Sequence, residues 1–225
     1  MSETPTPRKI DGPRVEPLAG GAPTSIVIFL HGYGSNGADL IGLAPYWRPA
    51  LPGTVFISPN APEPCPGAPG GFQWWGLSSL DRNARAAGAA RAAPVVNGFI
   101  DAELARYGLS EDRLALVGFS QGTMMALEVG LKRQRPPAAI IGYSGMLADE
   151  SGLERAAKPG PPILLVHGDA DPMIPIAAFH QARDVLARAG FTVESHVSRG
   201  LAHSIDAPGL QLGGALLVRV FGRGN

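Results

Sequence analysis

The chain has 225 residues, 45% of them hydrophobic and 17% charged, with 19 basic side chains balanced by 19 acidic ones. A neutral chain without blocks of like charge has nothing with which to neutralise a nucleic-acid backbone or to hold an anionic membrane surface. A single cysteine, Cys65, excludes an internal disulfide framework and a multi-cysteine metal site.

The opening stretch MSETPTPRKIDGPR has no apolar leader core, and no run approaches the length of a membrane span, so the chain reads as cytoplasmic with no stable membrane insertion. Pro5, Pro7 and Pro13 punctuate a polar beginning, which predicts a flexible segment over 1–12 followed by one domain over 13–225. Arg14 to Leu18 suits an edge strand that turns back through Gly20 and Gly21. Ser25 to Leu30, SIVIFL, is continuously apolar and β-branched, as a strand buried on both faces requires. Similar runs follow at 54–58, 114–118, 138–144 and 163–168, with a more polar one at 192–197. Helical patterns separate them at about 40–47, 88–107, 121–133, 176–189 and 210–221. This alternation predicts an α/β fold: a mostly parallel sheet with helices on both faces and ligands at the carboxyl ends of its strands. Between the strand at 54–58 and the long helix lies a loop rich in Pro and Gly, from Pro59 to about Arg82, which carries Trp74 and Trp75. Loops of that length are commonly functional.

Gly118-Phe119-Ser120-Gln121-Gly122 has the form GxSxG between a buried strand and a helix former, the setting of a nucleophile elbow. The turn needs flanking residues without bulk, and Gly118 and Gly122 supply them. A serine nucleophile needs a base, and the base needs a carboxylate. His203, in the loop GLAHSID after the last strand, is the favoured base, with His196 as its rival. In HGDADPMIP, Asp171 is assigned as the acid and Asp169 as the turn former, the swap being the alternative. The order Ser120, Asp171, His203 is that of α/β-hydrolases. Backbone N–H groups of Gln121 and of Tyr33, the latter in His31-Gly32-Tyr33-Gly34, stand where an oxyanion hole is required, although HGYG alone reads equally as a tight turn. Trp74, Trp75 and Met173 are the candidate substrate-binding residues. Apolar surface around Trp47, Trp74 and Trp75 could serve a homodimer interface or a substrate mouth. No metal or organic cofactor is expected, because no ligand set suggests one.

Four motifs, LHGYGSNG (30–37), GFSQGTMMAL (118–127), HGDADPMIP (167–175) and GLAHSID (200–206), resemble the phospholipase/carboxylesterase family of α/β-hydrolases, which includes the acyl-protein thioesterases and small bacterial carboxylesterases. The similarity runs from about Gly12 onward. It implies a compact fold without a large cap, a nucleophile at Ser120, an acid at Asp171, a base at His203 and oxyanion donors at Tyr33 and Gln121. It implies a small-molecule ester or thioester as substrate, with hydrolysis of short to medium acyl esters as the main reading. Thioesterase or lysophospholipase activity with the same triad is the alternative, and a non-catalytic binding protein the remote one. Where relatives often carry Trp-Phe-Asp after the Pro-rich loop, this chain has Trp74-Trp75-Gly76 and lacks the carboxylate.

Overall fold

The apolar runs assemble into one seven-stranded sheet in the computed structural model, which describes residues 9–77, 81–156 and 159–222. Its strands are β1 (Arg14–Val15), β2 (Ser25–Leu30), β3 (Thr54–Ile57), β6 (Leu114–Phe119), β7 (Ala139–Tyr143), β8 (Ile163–Gly168) and β9 (Val193–Ser198); β4 (Glu63–Pro64) and β5 (Phe72–Gln73) form a separate small hairpin. The order in the sheet is β1-β3-β2-β6-β7-β8-β9, with β1 antiparallel to β3 and every other pair parallel. The helices are α1 (Gly37–Leu40), α2 (Ala44–Trp47), α3 (Arg82–Tyr107), α4 (Gln121–Lys132), α5 (Ile176–Arg188) and α6 (Ala207–Phe221).

Alternation along the central strands divides the core in two. Ile26, Ile28 and Leu30 face a layer containing Ala89 and Val96 of α3, Met125 of α4 and Phe179 of α5. Val27 and Phe29 face Trp47 of α2 and Leu216 of α6 on the other side. Each such side chain, taken wholly out of water, contributes about 1.5–3 kcal/mol, which is why strands apolar at every position settle in the middle of a covered sheet.

Two long helices begin earlier than in the sequence reading, and the Pro-rich loop carries structure of its own. α3 begins at Arg82 instead of Gly88, because Asp81 caps it by accepting from the Ala84 N–H at 2.9 Å and its polar first turns need no apolar face. α6 begins at Ala207, capped by Asp206 with Pro208 in its first turn. The Pro-rich loop carries the β4–β5 hairpin and is folded back on the strand-end turn at residues 32–35, with the Gly34 N–H donating to Phe72 O at 2.9 Å.

Residues 1–8 of the segment expected to be flexible lie outside the described residues. Within 9–12, Asp11 O accepts from the Asn60 N–H, and just beyond it Arg14 of β1 pairs with the buried Glu103 of α3, Nη2 to Oε1 at 2.7 Å. Trp47, Trp74 and Trp75 are only 3%, 1% and 3% exposed, so the three indoles themselves are buried and not surface groups. Trp47 instead packs under α6 and donates its indole N–H to Leu210 O at 2.9 Å.

Candidate active site

Ser120 follows β6 and stands at the N-cap of α4 with φ 54° and ψ −116°, a left-handed backbone that few residues other than glycine adopt. Such a conformation costs about 1–3 kcal/mol and persists only where the surroundings enforce it. Here the Ser120 N–H donates to Tyr143 O at 2.9 Å, and Ser120 O accepts from the N–H groups of Thr123 and Met124. The flanking glycines are obligatory: a methyl on Gly122 would lie 1.7 Å from Leu30 O, and one on Gly118 would lie 2.3 Å from Gly122 O. The turn after β2 meets the elbow directly, since a methyl on Gly32 would stand 3.3 Å from Ser120 Cβ.

Asp171 and His203 come from loops after β8 and β9, and the structure brings them together. His203 Nδ1 lies 2.7 Å from Asp171 Oδ2, so Nδ1 carries the proton that the carboxylate accepts and Nε2 is left with its lone pair. The imidazole rests on Phe119, the residue before Ser120, with ring centroids 4.9 Å apart. The Asp171 side chain is fully buried, and its Oδ1 accepts from the N–H groups of Met173 and Ile174 at 2.8 and 2.9 Å. Burial alone would push this carboxyl upward. The hydrogen bonds from His203, Ile174 and Met173 outweigh it and hold the pKa below the ordinary carboxylate value. Asp169 does separate work: its Oδ1 accepts from the Gly200 N–H at 2.6 Å and so ties the His203 loop to the end of β8.

The other histidines have different surroundings. His31 is completely buried between Gly32 O and the Ala61 N–H, which donates to Nε2, and burial lowers its pKa. It is therefore a neutral structural group. His196 sits within β9 in register with Val166. His167 lies beneath Asp171: its Nε2 donates to Ile174 O at 2.9 Å and is 3.4 Å from Asp171 Oδ2, while Nδ1 is buried without a partner among the described residues.

Two N–H groups are left over at this edge. Among the described residues neither the Tyr33 nor the Gln121 N–H donates to a protein acceptor, although Gln121 is completely buried. The Gln121 N–H also sits at the start of α4, where the helix dipole favours negative charge. The Gln121 side chain clamps the Pro-rich loop, accepting from the Trp74 N–H at 3.1 Å and donating to Trp75 O at 2.8 Å. The Trp74 indole donates to His31 O at 2.9 Å, and the Trp75 ring packs on Gly88 of α3. Both indoles thus belong to the core, whereas Met173 is 63% exposed beside Asp171.

His167, the clamp by Gln121 and a buried Ser144 after β7 were not singled out as site residues in the sequence. Only His167 carried a signal, its place in the same HGDADP run as the two aspartates. Among the described residues no group of three or more His, Cys, Asp or Glu side chains converges as a metal site would require, and no helix is long and apolar enough to cross a membrane. A cavity of about 720 Å³ lies at the far end of α4, but Lys132 and Arg133, which line it, are already engaged by Glu128, Asp149, Asp101 and Glu111.

Comparison with known proteins gives the same direction. Residues 14–212 match the phospholipase/carboxylesterase family model. Acyl-protein thioesterase 1 of Schizosaccharomyces pombe is 37% identical over 200 residues, spanning 83% of this chain and 86% of that protein. Esterase YpfH of Escherichia coli is 29% identical over 191 residues, spanning 83% of this chain and 78% of its own. Among solved structures, that of esterase PE8 is similar with a TM-score of 0.89 at 40% identity, covering 95% of this chain and 100% of that one. Arabidopsis thaliana SOBER1, at 24% identity and a TM-score of 0.76, shares the fold. A parallel sheet carrying a strained serine elbow, matched over nearly its whole length by this family, leaves one assignment: the chain belongs to the phospholipase/carboxylesterase family of ester hydrolases and has its α/β-hydrolase fold.

Proposed function

We propose that the chain is a serine carboxylesterase that cleaves carboxylic esters of short to medium acyl chains through an acyl-enzyme on Ser120. The observation that carries this reading is the 2.7 Å bond between His203 Nδ1 and a buried Asp171, formed at the sheet edge where Ser120 is held in its strained turn. In the reaction His203 Nε2 takes the Ser120 proton as the hydroxyl attacks the ester carbonyl, and Asp171 stabilises the imidazolium. The N–H groups of Tyr33 and Gln121 stabilise the oxyanion. Collapse of the tetrahedral intermediate expels the alcohol, which takes the proton from His203. Water, activated by the same imidazole, then releases the acid and restores Ser120. None of these steps calls for a metal or an organic cofactor.

In this reading the exposed Met173 borders the mouth of the site, and Trp74 and Trp75 form a wall behind the loop instead of a surface. A cytoplasmic setting belongs to the same proposal and is supported by the lone, unbridged Cys65. A thioester reading is kept beside the ester one, because a relative at 37% identity is named an acyl-protein thioesterase and an acyl-enzyme serves both leaving groups.

The test is hydrolysis of p-nitrophenyl esters from acetate to palmitate, with thioesters of the same acids in parallel, by the wild type and by Ser120→Ala. The expected result is turnover that falls about a thousandfold or more in the variant. Equal rates for the two proteins, or no turnover of either ester class, would sink the proposal and bring forward a non-catalytic binding protein.

A further inference from the structure

Ser120 is not the only strained serine at this edge. Among the described residues the non-glycine positions with positive φ are Ser120 at 54° and Ser144 at 47°. Ser144 follows the neighbouring strand β7, and its N–H donates to Val166 O of β8 at 2.8 Å. It is completely buried. Glycine adopts this backbone freely, so a serine here bears a cost that only its side chain can justify.

The side chain has one partner, and that partner lies beside the base. Ser144 Oγ donates to Ser204 O at 2.9 Å, across 60 residues of sequence. The loop that carries His203 is fastened at its start by Asp169 to Gly200 and by the Ala170 N–H to Leu201 O. At its end Asp206 caps α6. Between those anchors, two side-chain hydrogen bonds among the described residues reach 203–205 from elsewhere in the protein: His203 to Asp171 and Ser144 to Ser204. The first holds the ring and the second holds the backbone next to it. The tethers also converge, because Tyr143 O, one peptide before Ser144, accepts from the Ser120 N–H and from Thr123 Oγ1.

We infer that Ser144 is a positioning residue for the reaction proposed above: its hydroxyl fixes the backbone of the His203 loop relative to the elbow, so that the imidazole is set against Ser120 before substrate arrives. It is no second nucleophile, since its hydroxyl is buried and given to a carbonyl. The inference rests on the serine-esterase reading. It adds that the strand next to the nucleophile carries a second strained residue whose purpose is alignment.

The experiment compares Ser144→Gly and Ser144→Ala with the wild type. Glycine removes the hydroxyl and also the backbone strain; alanine removes the hydroxyl and keeps the strain. Five quantities are read: kcat and KM on p-nitrophenyl butyrate, the rate of covalent labelling by a fluorophosphonate, the melting temperature, and the far-downfield proton resonance of His203 Nδ1–H. Misplacement of a reacting group by about 1 Å can cost about a hundredfold, so kcat and labelling are expected to fall about ten- to a hundredfold in both variants with KM within about twofold. Ser144→Gly is expected to melt no lower than the wild type, which separates alignment from stability. The His203 resonance is expected to broaden or shift in both. A Ser144→Gly protein with wild-type kcat and labelling rate overturns the inference, as does loss of activity only in proportion to loss of folded protein. A wild type that neither hydrolyses the ester nor takes the label overturns the serine-esterase reading, and this one with it.

Discussion

Replacing Asp171 by asparagine changes one oxygen for an NH2 group of the same size, and the damage is set by the groups around that side chain. All four groups that face this carboxylate are donors: the Met173 and Ile174 N–H groups at Oδ1, His203 Nδ1 at 2.7 Å from Oδ2, and His167 Nε2 at 3.4 Å from the same oxygen. An amide offers one acceptor. If its oxygen keeps the two backbone N–H groups, its NH2 confronts His203, which must move its proton to Nε2 and accept at Nδ1. The lone pair proposed to deprotonate Ser120 is then gone. With the amide reversed, the N–H of Ile174, a residue 4% exposed, loses its acceptor, at a cost of about 1–3 kcal/mol, so the first orientation prevails. A histidine held in the wrong tautomer costs a serine hydrolase about 10⁴-fold in kcat, or about 5.4 kcal/mol of transition-state stabilisation. Stability should fall far less, by about 1–3 kcal/mol, because bonds to a charged acceptor become bonds to a neutral one. The assay is kcat and KM on a short-chain p-nitrophenyl ester, with Asp169→Asn as the control. Among the described residues the Asp169 side chain reaches only the Gly200 N–H, and its variant should stay within about tenfold of wild type. An Asp171→Asn enzyme that keeps a tenth of wild-type kcat, or an Asp169→Asn enzyme more damaged than Asp171→Asn, refutes the reasoning.

Gln121→Leu should leave the buried N–H of Trp74 and carbonyl of Trp75 without partners, lowering stability by about 1–3 kcal/mol for each and changing tryptophan fluorescence; an unchanged melting curve and spectrum would show that the clamp is idle. Gly122→Ala drives a methyl into Leu30 O, and should destabilise at or above the top of the overpacking range of about 1–3 kcal/mol, read by urea denaturation; wild-type stability would mean the elbow is looser than described. For pH, burial pushes the Asp149 carboxyl up, but Ser151 and Lys132 together bring it down to about 2. A depressed folded pKa gives stability that is present above the unfolded value of about 3.9 and lost as pH falls through the folded one, so Asp149→Asn should flatten the melting temperature between about pH 4 and pH 2. A slope there as steep as that of the wild type counts against the Lys132 and Ser151 contacts.

The central strands and the elbow could be read in the sequence because each obeys a local rule. A strand covered on both faces must be apolar at every position, as in SIVIFL, and a serine in a forbidden backbone region must be flanked by glycine. His203 and Asp171 were legible for a related reason: in a parallel sheet, residues just beyond the strands gather at one edge. The first two turns of α3 were not, since Arg82, Asn83 and Arg85 offer no apolar period and only the Asp81 cap marks the start. How deeply the tryptophans are buried was not legible, because exposure depends on what folds over them. Gln121 meets Trp75 across 46 positions, and Trp47 meets Leu210 across 163. Ser144 was invisible on the same ground: neither its positive φ nor its bond to Ser204 has a local signature in AIIGYSG.

Whether Ser120 is the nucleophile of an acyl-enzyme is decided by the intact mass of the wild-type chain after treatment with a fluorophosphonate, followed by peptide mapping. One adduct is expected, formed with loss of fluoride and carried by the peptide containing Ser120, absent in Ser120→Ala and formed far more slowly in His203→Ala. An unmodified chain, an adduct on another residue, or equal labelling of Ser120→Ala would contradict that role of Ser120.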